Sequence, residues 1–342
     1  MTVTLLPPTI EHEMLGTMRV PCYADVTAAA ERLAPHVRRT MLLRSPVLDE
    51  RAQAPIWLKL ENLQVTGSFK ARGAFNALLN MDAAQRARGV VAYSTGNHGQ
   101  AVAWASRCLG VPATIVMPVD APENKVEKAL RHGAKVVRYD RLRESREAIG
   151  MRLLAETGAT LLPPGDHPDV LAAQGTLALE ALQDLPAAAR DNLGLFATPC
   201  GGGGMAAGCS LVLRELAPQA RMVAVEPREY DDTVRSLASG KRESNPAGAK
   251  TICDALQAAT PAELPYAINS RSLSAAVSVS DAEVAAAIRF ALDELRLVVE
   301  PGGAVALAAL LAGHISADGR DAVIVLSGGN IDLPLLRQIA ME

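Results

Sequence analysis

Short apolar runs alternate with amphipathic segments through the middle of the chain, and this alternation restricts the fold more than any other feature. The apolar runs occupy residues 89–94, 113–117, 134–139 and 159–162, and helical spacing occupies 99–109, 123–132 and 143–156. Such alternation is typical of βαβ units around a parallel sheet. We therefore predict an α/β fold, in which residues 89–166 form a compact unit with its own parallel sheet.

A second series of the same kind follows in the carboxy-terminal half. Strands are expected at 193–198, 222–226 and 322–326, with helices at 205–216, 231–238, 282–295 and 304–312. Residues 240–269 are rich in Pro, Gly, Ser and Asn, which predicts an irregular segment. Because 342 residues exceed what one core comfortably serves, we expect two domains. The smaller would comprise residues 89–166, and the larger residues 1–88 with 167–342.

The charge and the apolar pattern exclude several classes of partner. The formal net charge is −3, so no basic surface is offered to nucleic acid. The sequence contains no run of about 18 uncharged apolar residues, as a membrane span would need, and no signal peptide is recognised. The five cysteines are scattered and lack C-x-x-C spacing, which favours reduced thiols in a cytoplasmic protein.

A lysine stands at the start of a predicted helix. A strand at 56–61 leads into a turn at Thr66-Gly67-Ser68, and the helix begins just before Lys70. The positive end of the helix dipole disfavours the ammonium form and so lowers the pKa of Lys70. A neutral amine is the form that attacks an aldehyde to give an imine. The alternative is a solvated surface lysine, and this motif alone leaves both possibilities open.

Three loops follow the ends of predicted strands, where α/β proteins bind ligands. Residues 94–100 read Ser-Thr-Gly-Asn-His-Gly-Gln, which is either a carboxylate cradle or a capped turn. Residues 201–204 are consecutive glycines, whose N–H groups can converge on an anion at a helix N-terminus. We therefore predict a phosphate site there. Ser327, in the run Ser-Gly-Gly-Asn, would present its hydroxyl at the same edge of the sheet.

Taken together and in this order, these motifs resemble the fold-type II pyridoxal-phosphate enzymes, in the branch of threonine/serine dehydratases and serine racemases. The resemblance runs from near residue 40 to near residue 330. It implies an α/β fold of the tryptophan synthase β type, with two three-layer αβα domains and mostly parallel sheets. It also implies that the large domain binds the cofactor and that a small mobile domain, residues 89–166, binds the substrate.

The resemblance implies a role for each residue of a cofactor site. Lys70 would carry pyridoxal 5′-phosphate as a Schiff base and later act as the base at the substrate α-carbon. Asn97 would hydrogen-bond the phenolic oxygen of the cofactor, and Ser327 would face its pyridine nitrogen. The other cofactor residues would be Phe69 against the ring, Glu300 nearby, and Gly201, Gly202, Gly203, Gly204 and Met205 around the phosphate.

Two further sites follow from the same resemblance. The substrate carboxylate would be received by Ser94, Thr95, Gly96 and His98. Thr95 would also be catalytic, because it occupies the place of a serine that protonates the opposite face in racemases. Mg²⁺ or another divalent cation would be bound by Glu226, Asp232 and the carbonyl of Tyr230. The alternative for this cluster is an acidic helix N-terminus, and the sequence leaves that choice open.

The expected reaction is β-elimination from a β-hydroxy amino acid, such as L-threonine or L-serine, to a 2-oxo acid and ammonia. A hydroxyl partner such as Ser327 leaves the pyridine nitrogen unprotonated, which weakens the electron sink and favours elimination over transamination. Alternatives are another β-hydroxy substrate (3-hydroxyaspartate, phenylserine or a hydroxyectoine-derived compound), serine racemisation, and a non-catalytic amino-acid sensor. A sensor would not need Lys70. We also expect a homo-oligomer, either a dimer or a tetramer.

Overall fold

The computed structural model describes residues 13–94, 96–121, 123–140 and 143–341. Its strands are β1 (Met14–Leu15), β2 (Met18–Arg19), β3 (Leu42–Arg44), β4 (Ile56–Leu60), β5 (Val90–Tyr93), β6 (Ala113–Pro118), β7 (Lys135–Tyr139), β8 (Thr160–Leu161), β9 (Leu193–Pro199), β10 (Arg221–Pro227), β11 (Ala275–Val279) and β12 (Asp321–Leu326).

The helices alternate with these strands along most of the chain. They are α1 (Tyr23–Leu33), α2 (Pro46–Ala52), α3 (Lys70–Asn80), α4 (Ala83–Arg88), α5 (Asn97–Leu109), α6 (Glu123–Arg131), α7 (Arg146–Thr157), α8 (Pro168–Asp184), α9 (Ala187–Asp191), α10 (Gly204–Leu216), α11 (Asp232–Ser239), α12 (Glu263–Ser272), α13 (Asp281–Asp293), α14 (Pro301–Leu311) and α15 (Leu333–Met341). None of the described helices is long and apolar enough to cross a membrane.

The larger sheet has the strand order β11-β10-β9-β12-β4-β3. Its neighbouring strands are parallel except for β3, which runs antiparallel to β4. Apolar side chains of α13 and α14 cover one face, and those of α1, α8 and α10 cover the other. Strands buried on both faces must be apolar along their length, which is why β9, β10 and β12 could be predicted.

The smaller sheet has the order β7-β6-β5-β8, and all of its pairs are parallel. Residues of α3, α5 and α6 pack on one face and residues of α7 pack on the other. The chain therefore has the predicted α/β fold with mostly parallel sheets. The domain division at residues 89 and 166, and the mobility of the smaller domain, stay predictions.

Two segments differ from the sequence-based expectation. Part of the stretch 240–269, predicted to be irregular, lies in helix α12. Pro265 is the third residue of that helix, where a missing N–H costs no intrahelical hydrogen bond, so proline does not prevent helix formation there. The prediction did not identify helix α8, which is buried for most of its length and so lacks a clear polar face.

The fold brings the predicted loops to one place. The turn before Lys70 follows β4, the glycine loop follows β9, Ser327 follows β12, and Ser94 follows β5. In each case the loop extends from the carboxyl end of a parallel strand, where ligands bind in open α/β sheets. A β-bridge between Ser68 and Gly328 joins the first and third of these loops directly.

Candidate active site

Lys70 is the first residue of helix α3, as the sequence predicts. Its Nζ donates a hydrogen bond to the carbonyl oxygen of Pro164 at 2.9 Å and lies 4.9 Å from the centre of the Phe69 ring. Desolvation lowers the pKa of Lys70 to about 8, although the nearby Glu300 carboxylate acts in the opposite direction. A substantial fraction of this amine is therefore neutral near pH 8, which is the nucleophilic form.

The turn before Lys70 has an unusual backbone. Thr66 adopts φ 63° and ψ 8°, a left-handed conformation that is rare for a β-branched residue. Gly67 follows with φ 76°, and a side chain there would collide with Asn330. Phe69 N donates to Ser327 O at 3.1 Å, so the turn is held against the end of β12. The lysine therefore sits on a constrained support, not on a free loop.

The glycine loop forms an open cradle at the N-terminus of α10. Gly203 is the N-cap of this helix and has φ 88°, a conformation that favours glycine. The N–H groups of Gly201, Gly202 and Gly203 donate to no acceptor within the described part of the chain. Unpaired N–H groups at a helix start are suited to a phosphate. This arrangement fits the predicted cofactor, with Met205 in the first turn beyond it.

Glu300 and Asn97 meet beside this edge. Asn97 Nδ2 donates to Glu300 Oε1 at 2.6 Å, and the Glu300 side chain is buried at the N-cap of α14. Gly328 lies so close to Glu300 Oε1 that no side chain would fit at that position. The Ser327 hydroxyl makes no hydrogen bond within the described residues, although Ser327 itself is buried. It is therefore available to a partner such as a ring nitrogen.

The sequence motif Ser-Gly-Gly-Asn predicts no role for its last residue, Asn330, but the structure places this residue in the site. Its Nδ2 donates to Asn97 Oδ1 and to the carbonyl oxygen of Thr66, both at 2.8 Å. The only sequence signal for this residue was its position three residues after Ser327, just past the end of β12. Nothing in that spacing identifies the two partners, because they lie far away along the chain.

The loop expected to bind the substrate carboxylate lies at the start of α5. Gly96 N donates to Ser94 Oγ at 3.1 Å, and Thr95 lies outside the described residues. The His98 ring is buried and its Nε2 lies 2.8 Å from Leu162 O, a carbonyl that can only accept. Burial, and then the charge on Lys70, lower the pKa of His98 to about 3. The ring is therefore neutral and carries its proton on Nε2, which leaves a lone pair on Nδ1.

The loop 162–166 covers the site from the side of the smaller sheet. Leu162 and Pro164 accept hydrogen bonds from His98 and Lys70 through their carbonyl oxygens. Gly165 approaches the glycine loop so closely that a Cβ on Gly204 would lie 3.2 Å from its Cα. The loop 162–166 therefore contacts the site at three points: it accepts hydrogen bonds from His98 and Lys70, and it packs on Gly204.

Glu226 and Asp232 form a buried acidic pair at the end of β10. Both Glu226 oxygens accept backbone N–H bonds, from Thr233 at 3.1 Å and from Val234 at 3.0 Å. Burial and then the Asp232 charge raise the pKa of Glu226 to about 8, and burial raises that of Asp232 to about 6. Asp232 Oδ2 is buried and has no partner within the described residues.

Of the two sequence-based explanations of this acidic pair, the structure shows the hydrogen bonds of a helix cap, and the cation site stays a prediction. The bonds to Thr233 and Val234 show a carboxylate capping α11, as the helix N-terminus alternative requires. Capping does not explain the unpaired Asp232 oxygen. The described residues contain no group of three or more His, Cys, Asp or Glu side chains arranged for a metal. Two carboxylates with the Tyr230 carbonyl nevertheless match the hard oxygen donors that Mg²⁺ and Ca²⁺ prefer.

Comparisons with known proteins agree with this geometry. A family model described as pyridoxal-phosphate dependent enzyme matches residues 33–328. An L-threo-3-hydroxyaspartate ammonia-lyase of Pseudomonas sp is 44% identical, over 92% of this chain and 97% of that protein. An L-threonine ammonia-lyase of Thermotoga maritima is 37% identical, over 92% and 77%. The crystal structure of serine racemase from Dictyostelium discoideum matches with TM-score 0.86 and 34% identity, over 92% and 100%.

Proposed function

The chain belongs to the pyridoxal-phosphate dependent enzyme family, and from this premise we propose that it converts a β-hydroxy amino acid to a 2-oxo acid and ammonia by β-elimination. The observation that carries the proposal is the position of Lys70. An amine with a lowered pKa stands at a helix start and bonds the Pro164 carbonyl, and the next residue, Gly165, packs against the glycine loop. A primary amine next to a phosphate cradle is the arrangement that imine chemistry on a phosphorylated aldehyde requires.

Each residue of the cofactor site has a proposed task. The N–H groups from Gly201 to Met205 would hold the phosphate, Phe69 would pack against the ring, and the Ser327 hydroxyl would face the ring nitrogen. Asn97 would donate a hydrogen bond to the phenolic oxygen through Nδ2. When bound, the cofactor supplies the electron sink that makes the α-proton removable. Glu300 would keep the Asn97 amide turned toward the ring.

Lys70 would also move the α-proton. Its neutral amine can accept a proton, and its lowered pKa keeps that form populated near neutral and mildly alkaline pH. The Pro164 carbonyl accepts one N–H of the amine and so directs the nitrogen toward the cleft. The loop 162–166 would thus position Lys70, the proposed base, while the start of α5 would position the substrate.

The substrate carboxylate would lie at the start of α5. We propose that the Ser94 hydroxyl and the backbone N–H groups of Gly96 and His98 receive it, with Thr95 retained as a proposed acid on the opposite face. The His98 ring itself is neutral and committed to the Leu162 carbonyl, so His98 would contribute through its backbone. Amides at a helix N-terminus favour a carboxylate there.

L-Threonine and L-serine remain proposed substrates, and 3-hydroxyaspartate is a second candidate favoured by a specific observation. The relative named for hydroxyaspartate is 44% identical, whereas the relative named for threonine is 37% identical over a similar length. Serine racemisation stays an alternative, because a threonine hydroxyl at position 95 could protonate the second face.

The test is a panel of purified β-hydroxy amino acids, with release of 2-oxo acid as the measured product. We expect turnover of L-threonine, L-serine or threo-3-hydroxyaspartate, and we expect Lys70→Ala to abolish it because the variant lacks the amine. Melting of the variant should stay close to that of the parent. Turnover by Lys70→Ala at a rate comparable to the parent would remove Lys70 from the mechanism.

A divalent cation is a further part of the proposal. Glu226, Asp232 and the Tyr230 carbonyl would hold Mg²⁺ or a similar cation, supported by the unpaired oxygen of Asp232. The cation would neutralise two buried carboxylates whose pKa values are otherwise raised. The cation would increase the stability of the folded protein. It would also affect the glycine loop, because Oγ1 of Thr233, the residue after Asp232, lies 3.5 Å from Sγ of Cys200, the residue before the loop.

We also propose that the protein forms a homo-oligomer in the cytoplasm. Met41, which is 60% exposed, directly precedes the edge strand β3, and Leu63, which is 45% exposed, follows the neighbouring strand β4. Val298, which is 44% exposed, is connected to this surface because Asn62 donates to its carbonyl oxygen. An unpaired sheet edge with exposed apolar side chains favours association with a second copy. The cytoplasmic location is supported by the five free cysteine thiols.

A further inference from the structure

We propose that Asn330 fixes the orientation of the Asn97 amide and thereby decides which of its atoms faces the cofactor. Asn330 Nδ2 bonds both Asn97 Oδ1 and Thr66 O at 2.8 Å, and Asn97 Nδ2 bonds Glu300 Oε1 at 2.6 Å. The proposal rests on the proposed function, because it assumes that Asn97 serves a bound pyridoxal phosphate. Asn330 would be a positioning residue that acts through Asn97.

The two acceptors at the ends of this hydrogen-bonded series, Thr66 and Glu300, set the direction of every hydrogen bond in it. The Thr66 carbonyl and the Glu300 carboxylate can only accept hydrogen bonds. Asn330 must therefore turn its NH₂ group toward Thr66, and Asn97 must turn its NH₂ group toward Glu300. The remaining contact then joins an Asn330 N–H to the Asn97 oxygen. If either amide were reversed, its oxygen would face another acceptor, the Thr66 carbonyl or the Glu300 carboxylate.

This fixed direction leaves one donor for the cofactor. An amide nitrogen carries two hydrogens, and Glu300 accepts only one of those on Asn97. The second is available to a phenolic oxygen, whereas the Asn97 oxygen is occupied by Asn330. With the amide reversed, the cofactor would face a carbonyl oxygen, which cannot donate. The function of Asn97 thus depends on a neighbour that need not touch the cofactor.

Asn330 also supports the strained turn that carries Lys70. The Thr66 carbonyl that accepts its N–H belongs to a residue with φ 63°, and Gly67 packs directly on the Asn330 side chain. A non-glycine residue in this conformation costs about 1–3 kcal/mol and persists only where its surroundings enforce it. One side chain therefore orients Asn97 and holds the turn, so the two variants of the test must separate these effects.

Asn330→Asp and Asn330→Ala provide that separation. Aspartate has the shape of asparagine but only acceptor oxygens, so it repels both Thr66 O and Asn97 Oδ1 and favours a reversed Asn97. Alanine removes the contact but leaves the bond between Asn97 and Glu300 intact. If Asn330 only fills space, the isosteric aspartate should be the milder change. If it orients Asn97, aspartate should be the more damaging one.

The experiment measures cofactor affinity and the absorbance spectrum of each holoenzyme, together with the melting of each apoprotein. We expect Asn330→Asp to bind pyridoxal phosphate roughly tenfold more weakly than Asn330→Ala, the size of a lost charge-assisted hydrogen bond. The ratio of the yellow to the near-ultraviolet band should also change more in Asn330→Asp. Equal or tighter binding by Asn330→Asp, with an unchanged spectrum, would overturn the proposal.

Asn62→Asp is the matched control, because Asn62 also donates through Nδ2 to a carbonyl oxygen, that of Val298, but does not contact Asn97. It should leave the band ratio as in the parent. If Asn330→Asp is too unstable to purify, it is combined with Glu300→Gln. The amide introduced at position 300 then supplies an N–H donor that can face the oxygen of a reversed Asn97 side chain. Apoprotein melting should then recover while the altered band ratio persists. A recovered parental band ratio would contradict the proposal. A parent protein that binds no cofactor would instead refute the proposed function.

Discussion

Two clusters of charged side chains lie at strands of the larger sheet, and the pKa values of their carboxyl groups shift in opposite directions. In the first, Arg72 donates two hydrogen bonds to Glu61 and also bonds Glu180, which in turn accepts from Lys59. In the second, Glu226 and Asp232 lie together, and neither the hydrogen bonds that they accept nor the Arg235 charge near Asp232 offsets the effect of burial. Neighbouring charge, not burial, separates the two.

The pKa values show this contrast. Burial alone would raise the pKa of Glu61, but the Arg72 guanidinium holds it below its usual value. Burial raises the pKa of Glu226 to about 8, and the Asp232 charge adds to the effect. In the first cluster both carboxylates accept hydrogen bonds from a basic side chain, and these bonds join β4, α3 and α8. The carboxyl groups of the second cluster keep raised pKa values, and a bound proton or cation would stabilise them.

The largest expected effect is on the first cluster. Arg72→Met removes the partner of the buried Glu61 carboxylate and of the partly buried Glu180 carboxylate, and breaking such a network costs about 3–5 kcal/mol of unfolding free energy. Urea denaturation would measure it. The matched control is Arg39→Met, whose partner Asp184 lies at the surface, where a salt bridge contributes about 0–1 kcal/mol. Equal losses in both variants would show that the Arg72 cluster is not a special anchor for helix α3.

The next effect concerns the second cluster. Mg²⁺ at about a hundred times its dissociation constant should add near 3 kcal/mol to the stability of the folded state, visible as a rise in melting temperature that EDTA reverses. Glu226→Gln should abolish the rise and leave metal-free melting unchanged or higher. No response of the chelated parent to millimolar Mg²⁺, Ca²⁺ or Mn²⁺ would leave Glu226 as a helix cap only.

A smaller effect is expected in the pH dependence of the metal-free protein. Because the folded-state pKa of Glu226 is raised to about 8, its stabilising contribution is complete below the ordinary carboxyl pKa. That contribution is lost as the pH rises toward 8. Glu226→Gln should reduce this loss by about 1 kcal/mol between pH 6 and 7. Denaturation curves at both pH values test it, and identical pH slopes for the parent and the variant would contradict it.

The sequence was sufficient where a local pattern determines the structure. The helix start at Lys70 and the glycine loop before α10 were both predicted, because dipole position and glycine content depend on adjacent residues. The central strands β9, β10 and β12 were predicted from continuous apolar runs, whereas the edge strands β3 and β11 were not predicted. These features need no knowledge of distant contacts.

The remainder depends on contacts between residues far apart in the chain. Arg72 lies two residues after Lys70, but its partner Glu180 is 108 positions away. Asn330 meets Asn97 across 233 positions. The His98 ring contacts the Leu162 carbonyl across 64 positions. No local spacing reports such pairings, so the sequence identifies the motifs but not the network that orients them.

The central claim is that Lys70 carries the cofactor, and chemical labelling tests it most directly. The purified protein should be yellow, and borohydride reduction should fix the pyridoxyl group on the lysine that bears it. Peptide mapping by mass spectrometry should then find the label on Lys70, which has the lowered pKa and the glycine cradle beside it. A label on any other lysine, or a colourless protein that takes up no label, would contradict the account.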